Sequence, residues 1–185
     1  MKYFYVGAAP DVDGQVLTAV RERMAREFRV PVRELELPRI EFALDPGRRQ
    51  YGSIPVLEML ARVCPADGLK LLAVTEGDLF IPVLTFVYGH AQLGGQVAVM
   101  SLARLRQEFY GLPPDRETFI ERALKEALHE AGHTFGLVHC ADRSCAMTLG
   151  TNIRQVDAKR AAFCASCAAY LQRRNREGAL RLRES

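Results

Sequence analysis

No stretch of the 185-residue sequence is apolar for long enough to cross a bilayer. Leu79 to Met100 carries no charge, but Pro82, Gly89, His90, Gln92 and Gln96 interrupt it. A span needs about 18 consecutive apolar residues. No export signal is expected either. The opening stretch holds one lysine and a short apolar segment ending at Asp11, which reads as a first strand. Charge of one sign is scarce: 25 basic and 22 acidic residues leave a net +3. The tail from Gln172 to Ser185 has five arginines against two glutamates and supplies the whole excess. It reads as a solvated helix end. The near-neutral body argues against nucleic acid as a partner. Lysine is rare, 4 against 21 arginines, and nothing in the sequence explains that bias.

What is present is ordinary in bulk. With 49% hydrophobic and 25% charged residues, the chain is expected to form one globular domain, or one domain split by a cleft. Disorder and coiled coil are excluded by the same composition. The chain is expected in the cytoplasm, where clustered cysteines bind metal more readily than they form disulfides.

Spacing predicts strands at Lys2 to Ala8, Val32 to Leu37, Leu69 to Val74, Leu84 to Tyr88 and Gln96 to Leu102. Gly94 and Gly95 mark the turn between the last two. Helices are expected at Val12 to Phe28 and Ile54 to Val63, with Asp45 to Ser53 as a polar loop. Pro113 and Pro114 open a long helix whose first turn carries Asp115 and Glu117, suited to its positive end. Ile120, Leu124, Leu128 and Phe135 make its apolar stripe. Arg122, Lys125, His129 and His133 lie on the other side. Strands interleaved with helices make an α+β sheet domain.

The chemistry is concentrated in His129-Glu130-Ala131-Gly132-His133-Thr134-Phe135-Gly136-Leu137-Val138-His139-Cys140. Histidines four apart on a helix share a face, so both imidazoles reach one ion. Gly136 can adopt the left-handed conformation that stops a helix, letting His139 return as a third ligand. Three protein ligands leave a position for water, the arrangement of a catalytic zinc. Glu130, beside the first ligand, reaches that water without binding the ion. A chance match to these five positions is on the order of 10⁻⁵ per chain.

Cys140 and Cys145, then Cys164 and Cys167, form two short-spaced pairs suited to a closed four-thiolate zinc site. That makes two zinc ions per chain, one catalytic and one structural. Cys164 and Cys167 fall in an alanine-rich segment, Ala161 to Leu171, expected to be helical. Cys64 reads as a buried thiol, His90 as a loop residue and Tyr110 as packing.

The extended motif, with Met147 placed for a methionine turn beneath the metal, resembles the metzincin metallopeptidases. The four downstream cysteines, with the segments Thr75 to Phe80 and Phe86 to Gly89, are similar to one branch, the archaemetzincins. The resemblance implies a metzincin-like zincin fold: a twisted mixed sheet with the active-site helix in an upper lobe, 1–136, and a small lower lobe, 137–185. The lower lobe would carry His139, Met147 and the cysteine site.

The first functional reading is a zinc peptidase, a monomer acting on peptide or protein substrates, with Glu130 as general base. Gln96 to Leu102 could pair with an extended substrate if it lies at the sheet edge. A second reading is a zinc-binding protein with little turnover that binds peptides or partners. A third is a four-thiolate interaction platform, which the near-neutral charge disfavours.

Overall fold

Along β1 (Tyr3–Ala8), Phe4 and Val6 point to one side of the sheet and Tyr5 to the other. The computed structural model describes the backbone of residues 1–181 and the side chains of residues 1–174, so most of the arginine tail lies outside the described residues. The same alternation runs through β5 (Gly68–Thr75) and β8 (Val97–Ser101). Leu72, Val74, Ala98 and Met100 face one layer, while Leu71, Ala73, Val97 and Val99 face the other. Strands buried on both faces carry continuous apolar runs, as these do. The sheet order is β2 (Val32–Glu36), β1, β5, β8, β7 (Gly89–Ala91). The first four strands are parallel, and β7 is antiparallel to β8.

Three details differ from the sequence expectation. The strand expected at Leu84 to Tyr88 does not form: Val87 makes one isolated bridge to Leu79, and pairing starts at Gly89. Val83 and Leu84 are exposed there, with no sheet to bury them. The strand expected at Gln96 to Leu102 lies inside the sheet, between β5 and β7, so the edge belongs to β7. The loop expected at Asp45 to Ser53 contains a strand. It folds as a hairpin of β3 (Leu44–Asp45) and β4 (Gln50–Gly52), with β4 parallel to β6 (Leu79–Phe80).

Helix α1 (Gly14–Phe28) covers one face with Val16, Val20, Met24 and Phe28. Helix α2 (Ser53–Val63) covers the other with Val56, Leu57 and Leu60. The Asp13 carboxylate caps α1 by accepting from the Gln15 and Val16 amides, and Arg116 grips the same carboxylate. The Arg116 guanidinium holds Asp13 well below its ordinary value of 3.8. A depressed carboxylate contributes stability that is present above that value and lost as pH falls. Asp13→Asn keeps a cap and loses the guanidinium. Because Arg116 is largely exposed, the expected cost at pH 7 is up to about 1 kcal/mol. Denaturant titration should show the gap to wild type shrinking below pH 3.8.

Helix α3 (Arg116–Thr134) starts one residue after Asp115, whose side chain accepts from the Thr118 amide. Phe119, Ala123, Ala127, Leu128 and Ala131 bury its apolar stripe. The face bearing Arg122 and Lys125 is buried too, at 6% and 3% exposure. Helix α4 (Ile153–Ala158) covers it: Asp157 accepts both guanidinium branches of Arg122, and its carbonyl accepts from Lys125. Helix α5 (Ala165–Arg181) begins four residues later than the expected Ala161, leaving Cys164 just ahead of its first turn. No helix among the described residues is long and apolar enough to cross a membrane.

Candidate metal centre

The last two turns of α3 carry His129 and His133, and Gly136 ends the helix at φ 93°. The Gly136 amide donates to His133 and the Leu137 amide to Gly132, which reverses the chain. His139 then comes back against the two helical rings. One ligating nitrogen from each of the three lies within 4.8 Å of the others. The Nδ1 atoms of His129 and His133 face the carbonyls of Ala146 and Leu137 at 2.8 and 2.7 Å. A carbonyl only accepts, so each neutral ring keeps its proton on Nδ1. Both Nε2 lone pairs then converge at 3.1 Å. Two converging lone pairs repel unless a cation accepts both, and carbonyl-oriented imidazoles are the usual support of a zinc site. The donor set therefore fits zinc. Burial, reinforced by the Lys159 charge, holds His129 well below its usual value, and burial also lowers His133 and His139. Neutral rings are the form that binds metal.

Glu130 is buried at 4% exposure and lies against the edge strand. A Cβ at Gly89 would meet its Cγ, Cδ and Oε1 at 2.5 Å. Burial raises the Glu130 carboxyl well above its ordinary value; Glu126 adds to this and Lys159 opposes it. Met147, fully buried, packs against Gly132 of α3, where a Cβ would come within 2.5 Å of its Sδ.

The sulfurs of Cys140, Cys145, Cys164 and Cys167 likewise lie within 4.8 Å of one another. All four are free thiols, and Cys140 and Cys164 approach to 3.8 Å, far beyond the ~2.05 Å of a disulfide. The Met147 and Cys164 amides donate to the Cys145 sulfur. The Cys167 amide draws the Cys164 thiol down to about 7, whereas burial raises the Cys145 and Cys167 thiols. Thiolate is the form that binds metal.

Residues 59–173 match the family model of peptidase family M54. An archaemetzincin of Methanocaldococcus jannaschii is 40% identical over 167 residues, covering 89% of each chain. The chain belongs to peptidase family M54, the archaemetzincins. That membership puts it among the zinc metallopeptidases. An archaemetzincin of Pyrococcus furiosus is 41% identical over 150 residues, 80% of this chain and 77% of its own. Among solved structures, the archaemetzincin of Methanopyrus kandleri superposes with a TM-score of 0.84 at 34% identity, covering 95% of this chain and 96% of that one. A zinc-dependent peptidase of Methanocorpusculum labreanum gives 0.81 at 32% identity, over 91% and 99%.

Around the histidines, this family member has parts that its motif does not announce. Glu126, one turn before Glu130, pairs with Lys159 at 3.1 Å, and both are nearly inaccessible at 3% and 1%. Only the i, i+4 spacing to Glu130 hinted at Glu126, and nothing local marks Lys159. His90 is in β7 rather than a loop; its Nδ1 lies 2.8 Å from Ser53 Oγ and it lines the cleft outside the histidine group. Cys64 is half-buried and away from the other thiols. The Tyr110 hydroxyl donates to the Arg104 carbonyl, and Tyr110 is not part of the cleft lining.

Proposed function

We propose that the chain hydrolyses peptide bonds at this centre, with His129, His133 and His139 holding a catalytic zinc. The observation that carries it is the convergence of two carbonyl-oriented imidazole lone pairs beside a buried acid. Zinc supplies Lewis acidity there, lowering the pKa of water toward about 7 and polarising a carbonyl. Glu130 takes the proton of the attacking water on its carboxylate and hands it to the leaving amine nitrogen. The free edge of β7 offers backbone groups to an extended substrate, the role first considered for Gln96 to Leu102. Met147 supports the rings from below. Cys140, Cys145, Cys164 and Cys167 hold a second, structural zinc, which fixes the segment that carries His139. In this reading the upper lobe, 1–136, presents the helix and the edge strand, and the lower lobe, 137–185, closes the site. The protein works as a monomer in the reducing cytoplasm, where the thiols stay free for metal.

Elemental analysis is the test, run beside digestion of a peptide mixture. Two zinc ions per chain and cleavage are expected. Replacing His129 and His133 together by alanine should leave one zinc and no cleavage. A zinc count unchanged by that replacement overturns the assignment. A fully loaded protein that cleaves nothing favours the peptide-binding reading.

A further inference from the structure

In a chain with 25 lysines and arginines, none of those among the described residues lines the cleft over the histidines, nor does any described aspartate. Its volume is about 530 Å³. Among the described residues, the carboxylates on its wall are Glu126, held by Lys159, and Glu130, assigned to proton transfer. Leu84, Leu93, Val138 and Leu149 stand around it, each more than half exposed. Arg48, in the neighbouring hairpin, is engaged by the Phe80 ring and the Leu84 carbonyl. A second cavity, about 340 Å³ at the carboxyl ends of β1, β2 and β5, shows the contrast: Asp11, Arg39, Glu41, Glu76 and Asp78 line it. The scarcity of unassigned charged side chains therefore belongs to the cleft and not to the described surface as a whole.

Exposed apolar side chains gathered at one concave site mark a binding surface. Backbone pairing along β7 is indifferent to sequence, so discrimination falls to the side-chain pockets. A charged side chain entering this cleft would lose its water with no counter-charge to meet it. Resting on the peptidase reading above, we infer that the substrates are extended peptide segments with large apolar side chains beside the cut bond, and that charged residues there are refused. Leu84 on the upper rim and Leu149 on the lower are the specificity-determining residues.

The zinc-loaded protein would be given synthetic peptides that differ only at the two positions flanking the cut. Leucine, methionine or phenylalanine should exceed aspartate, glutamate, lysine and arginine in kcat/KM by at least ~10-fold. Leu149→Glu should narrow that ratio ~10-fold for lysine and arginine peptides, while aspartate and glutamate peptides stay refused. Leu84→Glu should act in the same direction from the other rim. Both side chains are exposed, so neither change threatens folding. Equal cleavage of apolar and charged peptides by wild type overturns the inference and leaves the peptidase reading intact. Binding of the same peptides, labelled, to zinc-loaded Glu130→Gln separates the two. Selective binding of apolar peptides with no cleavage by wild type supports this inference and defeats the peptidase reading. Binding that ignores the flanking residues defeats the inference whether or not cleavage occurs.

Discussion

Gly89→Ala is expected to cost hydrolysis about 10²-fold or more while the zinc content stays at the wild-type value. The added methyl would lie 2.5 Å from three atoms of the Glu130 side chain, closer than real Cβ contacts come. Neither backbone is free to yield. Gly89 pairs with Met100 in the sheet, and α3 is packed on both faces around Glu130. The flexible partner is the Glu130 side chain, so the carboxylate moves away from the position in which the proposed mechanism has it take a proton. The imidazoles keep their carbonyl partners Ala146 and Leu137, which lie on the far side, so metal binding is untouched. Glu130→Gln removes the same proton acceptor without displacing it and should lose a comparable factor, at least ~10². Two changes that disable one group are not additive. Gly89→Ala placed on Glu130→Gln should therefore cost little more. Rates beside zinc analysis decide it: a zinc-loaded Gly89→Ala enzyme at the wild-type rate rules out this role for the glycine.

The same strand shows why parts of the fold were hidden in the sequence. The histidine spacing, the helix stop at Gly136 and the start after Pro113 and Pro114 were legible because each is set within a few residues by local backbone chemistry. The paired cysteines were legible by spacing in the same way. The edge strand was not. Three residues, Gly89 to Ala91, are too few for a period to show, and the apolar run just before them imitated a strand. Val83 and Leu84 in that run are apolar yet exposed, and Leu84 stands on the rim of the cleft and not in the core. A hydrophobic pattern reports burial against something, and the sequence does not say whether the partner is the sheet or a ligand. The cover over Arg122 and Lys125 was hidden in another way. Charges on one helix face normally mean solvent, but Asp157 reaches them from α4, 35 and 32 residues along the chain. Long-range pairing of that kind leaves no local signal.

The buried pair Glu126–Lys159 makes that hidden contact measurable. Lys159→Met is expected to destabilise the protein by about 3–5 kcal/mol, because it leaves a nearly inaccessible carboxylate without its counter-charge. The pair lies at 3.1 Å with both side chains nearly inaccessible, so neither solvent nor salt screens it much. Its two halves come from α3 and from the segment just after α4, so the loss falls on the contact that seats the lower wall of the cleft against the active-site helix. Lys159 also lies under that wall: a Cβ at Gly150 would be 3.3 Å from its Nζ. The cost belongs to the unpaired charge and not to the pair as such. Replacing both partners, Glu126→Leu with Lys159→Met, should therefore recover most of the stability, since a well-packed apolar pair of similar volume does as well as a buried ion pair. Denaturant unfolding at a fixed zinc concentration gives both values, the fixed metal being needed because ligand binding itself shifts stability. A loss under about 1 kcal/mol for Lys159→Met, the scale of an exposed pair, would mean that water reaches Glu126 and that α4 does not seal this face of the helix.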